Sequence, residues 1–581
     1  MFGSPAMARK FLTLCLMACT CAARAQPASA DILPLSEVKA GERGEVWTVF
    51  QGTQPEPFTV EVTGIVRNAL GPGKSIILCR LTDPRVQNMG AVAGMSGSPL
   101  YIDGKFAGAL SYQVQQFETV RFAGFTPAAD MAEVGNRVDA AASPDPGASP
   151  ASAAADNGFR ALRPVFALGG VSPRTASIVA PQFASLGIGV VALGGSTQGA
   201  AQAPAPGRLR PGDAVAVALA TGDISIAGTG TVSRIDGERV IAFGHPMLGL
   251  GDVQFPMCSA EVVAILPSNL QSVKIANVGP VIGCISQDRL SAVSGLLGPG
   301  PEMIDVEVVA GGKAERTIHF QVVQDKHIAP MILLTGVAEA VFGSDDRQAE
   351  EGFRIVSTVT FSATRSISRQ TVFAGPQGFL AGMIDFLGSL GAEMQNPFEK
   401  AVPTRVSFRI EPLDANPTVT LEQFLVSRSE VRPGDTFHVT LAWRNFQGSE
   451  DTSTVDVPVD PKWAGKTLEV IAVPGRVLDE LTGHGRVFRP GQLRSFDAYI
   501  DAQKGARPED GLFIAVVEKS SLFFDQDVSS PDVPASIQRI AGASDSTRYQ
   551  RREAAITLWE TRVLEGKVAQ SEFHRTVRVD E

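Results

Sequence analysis

Apolar and polar positions alternate with a period of two along much of this chain, often just behind a turn signal, the combination expected of β-strands. Arg-Pro-Gly-Asp occurs twice, at Arg210–Asp213 and Arg432–Asp435. Val215, Val217 and Leu219 follow the first, and Phe437, Val439, Leu441 and Trp443 the second. The apolar run Ile76–Leu81 reads as a further strand, and Asp103-Gly104 as the turn of a hairpin between apolar strands. Helical signals are few: Ser172–Ser185 reads as one helix ahead of the apolar run Ile188–Leu193, and one amphipathic helix is expected between residues 346 and 415. Residues 416–581 repeat short strands between Gly and Pro turns, with a hairpin expected at Leu564-Glu565-Gly566-Lys567, a pattern that suggests a β-sandwich.

Two low-complexity stretches, Ala140–Asn157 and Gly194–Gly207, carry too few apolar side chains to bury a core. The expected organisation is a leader at 1–30, a β unit at 31–139, a linker at 140–158 and a second β unit at 159–345. A connecting region at 346–415 and a sandwich-like region at 416–581 complete it.

Composition supports this picture. The 58 Gly and 38 Pro among 581 residues suit a turn-rich β protein, and 19% charged residues argue against long coiled coils or charge-driven disorder. Hydrophobic residues at 44% supply several cores. With 51 basic against 61 acidic residues and no basic run, binding to nucleic acid through counterion release is not expected.

The N-terminus reads as an export leader. Arg9 and Lys10 precede the apolar run Phe11–Cys21, and Ala28-Ser29-Ala30 forms a small-residue cleavage site before Asp31. The protein is therefore expected in the periplasm or outside the cell; Leu16-Met17-Ala18-Cys19 resembles a lipobox, so a lipid anchor at Cys19 is the alternative. The run is shorter than the roughly 20 residues of a membrane span, and the later apolar run Phe379–Leu390 carries Asp385, so no span is expected. Loss of Arg9, Lys10 and Arg24 with the leader leaves 48 basic against 61 acidic residues, or −13. It also removes Cys15, Cys19 and Cys21. Of the remaining Cys79, Cys258 and Cys284, the last two are the expected disulfide, with three buried thiols as the alternative. No metal-ligand spacing is present, and neither metal nor cofactor is expected.

Candidate chemistry lies in Leu81-Thr82-Asp83-Pro84-Arg85 and in Gly94-Met95-Ser96-Gly97-Ser98-Pro99. A nucleophilic serine needs backbone N–H groups converging on the developing oxyanion, and glycines beside it let the chain turn tightly enough to present them. An α/β-hydrolase elbow would have G-x-S-x-G and a helix after the serine. Here Ser98, Pro99 and the Asp103-Gly104 turn give strand-turn-strand instead, as in a β-barrel protease. Among His245, His319, His327, His438, His484 and His574, His245 stands on a Gly-His-Pro turn at the end of an apolar strand, where an imidazole can reach a cleft and act as general base. Asp83 is the candidate to orient that imidazole, although Asp before Pro also fits an Asx-turn or a helix cap.

At these residues the sequence resembles the SpoIVB-type (stage IV B sporulation) serine peptidases. The matching pieces are Ser36–Gly41, Leu81–Arg85, Gly94–Pro99 with Asp103–Lys105 and Gly108-Ala109, Gly228–Val232, Phe243–His245 and Ile282–Ile285. The resemblance implies a mostly β, chymotrypsin-like two-barrel peptidase unit, which the C-terminal β-sandwich-like region read from the strand pattern follows. It implies Ser96 as nucleophile, His245 as general base and Asp83 as orienting acid, with the Gly94 and Ser96 N–H groups as the oxyanion hole. In the sporulation enzymes the histidine segment precedes the serine segment; here it follows by 149 residues, a circularly permuted order. The expected function is an exported serine endopeptidase acting on protein or peptide through an acyl-enzyme, with residues 416–581 as a candidate surface for a protein partner. The alternative is a secreted binding or scaffold protein that keeps a degenerate peptidase fold.

Overall fold

The computed structural model describes residues 30–114, 120–137, 158–192, 209–267, 272–311, 315–343, 351–483, 493–525, 528–531, 549–569 and 572–581, with isolated residues between 532 and 540. Residues 1–29 of the leader with the lipobox at Cys19, His484 and both low-complexity stretches lie outside the described residues.

The fold is mostly β, and its strand pairings close two six-membered rings. The first ring comprises β1 (Arg43–Val49), β2 (Pro55–Val66), β3 (Ile76–Leu81), β4 (Pro99–Ile102), β5 (Lys105–Val114) and β6 (Phe122–Pro127), ordered β4-β1-β2-β3-β6-β5 and closed by β4 on β5. The hairpin expected at Asp103-Gly104 joins β4 to β5 with Ile102 opposite Lys105; both turn residues have positive φ, as a two-residue hairpin demands. β5 is buried continuously from Phe106 to Tyr112. One of its faces lies in the ring core and the other is covered, which is why its sequence reads as an unbroken apolar run and not as alternation. β7 (Phe159–Ala161) adds to β5 antiparallel, outside the ring.

After β8 (Phe166–Gly169) and β9 (Val190–Ala192), the second ring comprises β10 (Ala214–Gly222), β11 (Ser225–Asp236), β12 (Arg239–Ala242), β13 (Gly251–Leu266), β14 (Val273–Arg289) and β15 (Ala292–Leu297). It runs β10-β13-β14-β15-β12-β11 and is closed by β10 on β11. Both Arg-Pro-Gly-Asp segments are turns closed by an N–H of Asp213 or Asp435 on the carbonyl of Arg210 or Arg432, each leading into a strand. The expected helix is Pro173–Ser185, its first turn capped by Ser172 Oγ. Beyond β10 the sheet continues through five strands between Met303 and Pro412, and the amphipathic helix Gly375–Met394 buries Phe379, Met383, Leu387 and Leu390 at helical spacing against them.

The C-terminal region has a four-stranded and a six-stranded sheet that share one core, with Val419, Phe424, Val439 and Leu441 facing Leu468, Val470, Ile514 and Val577. This is a sandwich. The turn Leu564–Lys567 forms as expected, but not as a hairpin: Tyr549–Val563 pairs in the six-stranded sheet and Val568–Ala569 in the four-stranded one. Both local signals were those of a turn, and only the partner sheet differs. Cys79, Cys258 and Cys284 are all free. Cys258 stands opposite Val281 and Cys284 opposite Pro256, so the β13–β14 register does not bring the two sulfurs together; the three are thiols, but only Cys79 and Cys258 are buried, and Cys284 is partly exposed.

A helix and a hairpin help to join the rings. A helix at Ala128–Gly135 packs Ala128, Met131 and Val134 with Ile241 and Ala292 of the second ring. The long β13–β14 hairpin reaches out of the second ring to the first, where Val262 exchanges both backbone hydrogen bonds with Gly52 and Val273 bridges Ala93.

Candidate active site

Ser96 lies in a loop wound tightly by two glycines. Met95 N–H donates to Val92 O at 2.9 Å and Ser98 N–H to Met95 O at 3.0 Å, while Gly94 and Gly97 hold φ of +100° and +94°. Side chains rarely tolerate such torsions. Gly97 also has no space for one: a Cβ there would lie 2.1 Å from Thr231 O and 2.5 Å from Phe243 N. The loop is thus pressed backbone to backbone on the second ring. Thr231 N–H donates to Ser96 O at 2.8 Å, Thr231 Oγ1 to Gly94 O at 3.1 Å and Ser233 Oγ to Gly97 O at 2.7 Å.

Ser96 is fully buried, and its Oγ has no hydrogen-bond partner among the described residues. Among the same residues the N–H groups of Gly94 and Ser96 have no acceptor either. Leaving a buried polar group unpaired costs about 1–3 kcal/mol. Three such groups within three residues are the arrangement a reacting carbonyl would complete, the hydroxyl supplying a nucleophile and the amides a cradle for the oxyanion.

His245 is carried on the same seam. Phe243 and Gly244 both have φ of +68°, a strained conformation for phenylalanine, and they turn the chain out of β12. Phe243 N–H donates to Thr231 O, so Thr231 touches the serine loop through its N–H and the histidine turn through its carbonyl. Thr126 Oγ1 of the first ring donates to Gly244 O at 2.5 Å. The imidazole is fully buried, with Nδ1 2.8 Å from Pro246 O and Nε2 3.0 Å from Leu162 O, and it meets Phe243 and Tyr112 edge to face. Burial lowers its pKa to about 4 despite the two carbonyls, with the positive charge of Arg163 acting in the same direction. The ring is neutral at pH 7, and the hydrogen bonds of its nitrogens go to Pro246 and Leu162, not to Ser96.

Asp83 sits at the end of β3 and caps the short helix Pro84–Met89 by accepting from Arg85 N–H at 2.9 Å. The Arg85 guanidinium grips both of its oxygens, at 3.2 and 3.1 Å. Partial burial raises its pKa, but the bonds and charge of Arg85 prevail and hold the carboxyl below its ordinary value. Ser96 and His245 therefore share the seam at Thr231 without bonding to each other, while Asp83 is engaged by Arg85 and not by His245.

Two further groups at the seam escaped sequence reasoning. Asp288, fully buried on β14, accepts from the N–H groups of Met247, Leu248 and Gly249 at 2.7, 2.8 and 2.7 Å and so fixes the loop after His245. Burial pushes its pKa up, and the ring of N–H donors opposes that. Lys274, also buried, lies beside Gly94 and donates to Thr48 Oγ1 at 3.1 Å. In the sequence each is one charged residue in a strand of mixed polarity, and nothing local separates such a residue from a solvated one. Among the described residues no group of His, Cys, Asp and Glu is arranged to hold a metal ion.

Comparison with curated proteins gave no match, and comparison with solved structures gave none. Residues 17–120, which include Asp83, Gly94 and Ser96 and stop short of His245, match the family model described as SpoIVB peptidase S55, so the serine-bearing ring carries the likeness to SpoIVB-type peptidases that its motifs express.

Proposed function

We propose that the protein is an exported serine endopeptidase in which Ser96 attacks a peptide carbonyl and forms an acyl-enzyme. The observation that carries this reading is the buried, unpartnered Ser96 Oγ beside the unpaired N–H groups of Gly94 and Ser96, within a segment similar to a peptidase family. No helix among the described residues is long and apolar enough to cross a membrane. From the SpoIVB-type resemblance, His245 is the general base and acid, and Asp83 the carboxylate that orients it. For this, His245 Nε2 must exchange the Leu162 carbonyl for Ser96 Oγ, and Asp83 must release Arg85. The seam must also part, because Ser96 has no accessible surface for a peptide to touch. The C-terminal sandwich is the candidate surface for a partner or for extended substrate.

A fluorophosphonate probe on the purified mature protein tests the nucleophile. Labelling should be lost in Ser96→Ala, with peptide hydrolysis falling at least about 1000-fold. The same variant should unfold no earlier than the parent, because it deletes a hydroxyl that has no partner. Labelling that survives Ser96→Ala overturns the assignment. The engagement of His245 and Asp83 with other groups favours the second reading, a secreted binding or scaffold protein, and a folded wild type that neither labels nor hydrolyses peptide would establish it.

A further inference from the structure

A piece of the chain's own backbone holds the imidazole of His245. Leu162, the residue after β7, places its carbonyl oxygen 3.0 Å from Nε2, the atom through which the ring would serve Ser96. The segment is fixed there in three ways. Leu162 N–H donates to Ser111 O at 2.8 Å. β7 pairs with β5 through Ala161 on Tyr112, Arg160 on Gln113 and Phe159 on Val114. The Leu162 side chain, 1% exposed, packs in the core of the first ring.

The edge of β5 that receives this segment also carries the serine loop. β6 lies along one side of β5, and β4 and β7 share the other. There Gly97 N–H donates to Leu110 O at 2.8 Å and Leu110 N–H to Ser98 O at 3.0 Å, so the serine loop ends where the pairing of Ser111 with Leu162 begins. A peptide whose carbonyl is to reach Ser96 Oγ loses water and needs partners for its own N–H and C=O groups, and Ser111–Val114 is the strand edge that adjoins the loop. β7 fills that edge from within the chain.

The contact with His245 can be given up at little cost. A neutral imidazole has a single N–H, whereas both nitrogens face carbonyl oxygens, Pro246 at Nδ1 and Leu162 at Nε2. Only one carbonyl receives a hydrogen bond. With the proton on Nδ1, the tautomer a general base at Nε2 needs, Nε2 turns a bare lone pair towards Leu162 O, and departure of that carbonyl breaks no hydrogen bond at the ring.

We propose that Phe159–Leu162 is an autoinhibitory strap standing where an extended peptide substrate binds. When the strap leaves, the peptide takes over its hydrogen bonds along Ser111–Val114, and His245 Nε2 is freed for Ser96 Oγ. This rests on Ser96 as nucleophile and His245 as base, and it identifies what keeps them apart in the closed seam.

A tether tests it in the full mature chain, read by the rate of fluorophosphonate labelling. Gln113 and Arg160 stand opposite each other and neither is buried, so the double variant Gln113→Cys, Arg160→Cys can join the strap to β5 by a disulfide. Oxidised, it should label at least about 50-fold more slowly than after reduction, while the parent labels alike under both conditions. Leu162→Ala, which removes the anchor in the core, should label at least about tenfold faster than the parent. Equal rates before and after reduction, or a folded Leu162→Ala that labels no faster than the parent, overturn the strap while labelling that still depends on Ser96 keeps the nucleophile. If no variant, Leu162→Ala included, shows labelling that Ser96→Ala abolishes, the nucleophile reading fails first.

Discussion

In the C-terminal sheets, buried charge is matched with charge. Asp479, 1% exposed, accepts from the Arg507 guanidinium at 2.6 Å and from its N–H at 3.1 Å, and the same guanidinium holds Glu560. Asp510, equally buried, takes Arg562 at 2.6 Å and the N–H of Gly566 at 3.0 Å. At the seam between the rings the opposite holds. Lys274 has one hydroxyl, His245 sits neutral between two carbonyls, and Ser96 Oγ has no partner among the described residues. Ions matched in this way serve stability, although Arg562 Nε is itself buried without a partner among the described residues. Groups left short of partners cost stability, and they are tolerated where something that comes and goes, a substrate or a proton, completes them.

Several experiments can break or sharpen this contrast. The largest effect is expected from Gly97→Ala, which forces a Cβ onto Thr231 O and Phe243 N at a φ of +94°. It should cost about 4 kcal/mol or more by denaturant unfolding, and a mild effect would mean that the serine loop is not clamped on the second ring. Arg507→Ala should come next. It strands the buried Asp479 and should destabilise the C-terminal region by about 3 kcal/mol without changing the rate at which Ser96 labels. Equal losses of stability and labelling would merge the two regions into one cooperative unit.

The smallest effect concerns pH. An unfolded His245 takes up a proton near its ordinary value, whereas the folded one stays neutral until about pH 4. Between those values the unfolded state binds more protons, so stability falls as pH falls through that window, by about 2 kcal/mol at pH 5 relative to pH 7. His245→Gln should flatten this part of the curve when denaturant midpoints are compared at the two pH values. An unchanged slope would show that the ring is not held neutral.

Much of the framework was legible because its signals are local. Asp103-Gly104 must be a hairpin turn since its residues tolerate positive φ, Arg-Pro-Gly-Asp opens strands at both occurrences, and Ser172 caps the helix it precedes. The glycines around Ser96 were legible for the same reason. The sheet that receives Val568–Ala569 was not, nor the β13–β14 register that keeps Cys258 from Cys284, because a turn or a pair of cysteines does not encode its partner strand. Asp83 could be read as triad acid or as cap; the backbone N–H of Arg85 makes it a cap, and the Arg85 guanidinium holds the carboxylate in that place.

The sequence by itself determined a mostly β chain, a tightly turned serine loop and a histidine on a Gly-His-Pro turn, all consequences of torsional preference and period-two burial within a few residues. The tertiary structure alone decided which groups share the seam. Closure of two six-stranded rings presses Ser96 on Thr231, brings the histidine turn to the same residue, and carries Lys274 across from a hairpin 178 residues further along the chain. That juxtaposition depends on strand register and ring packing, long-range properties that local sequence does not carry.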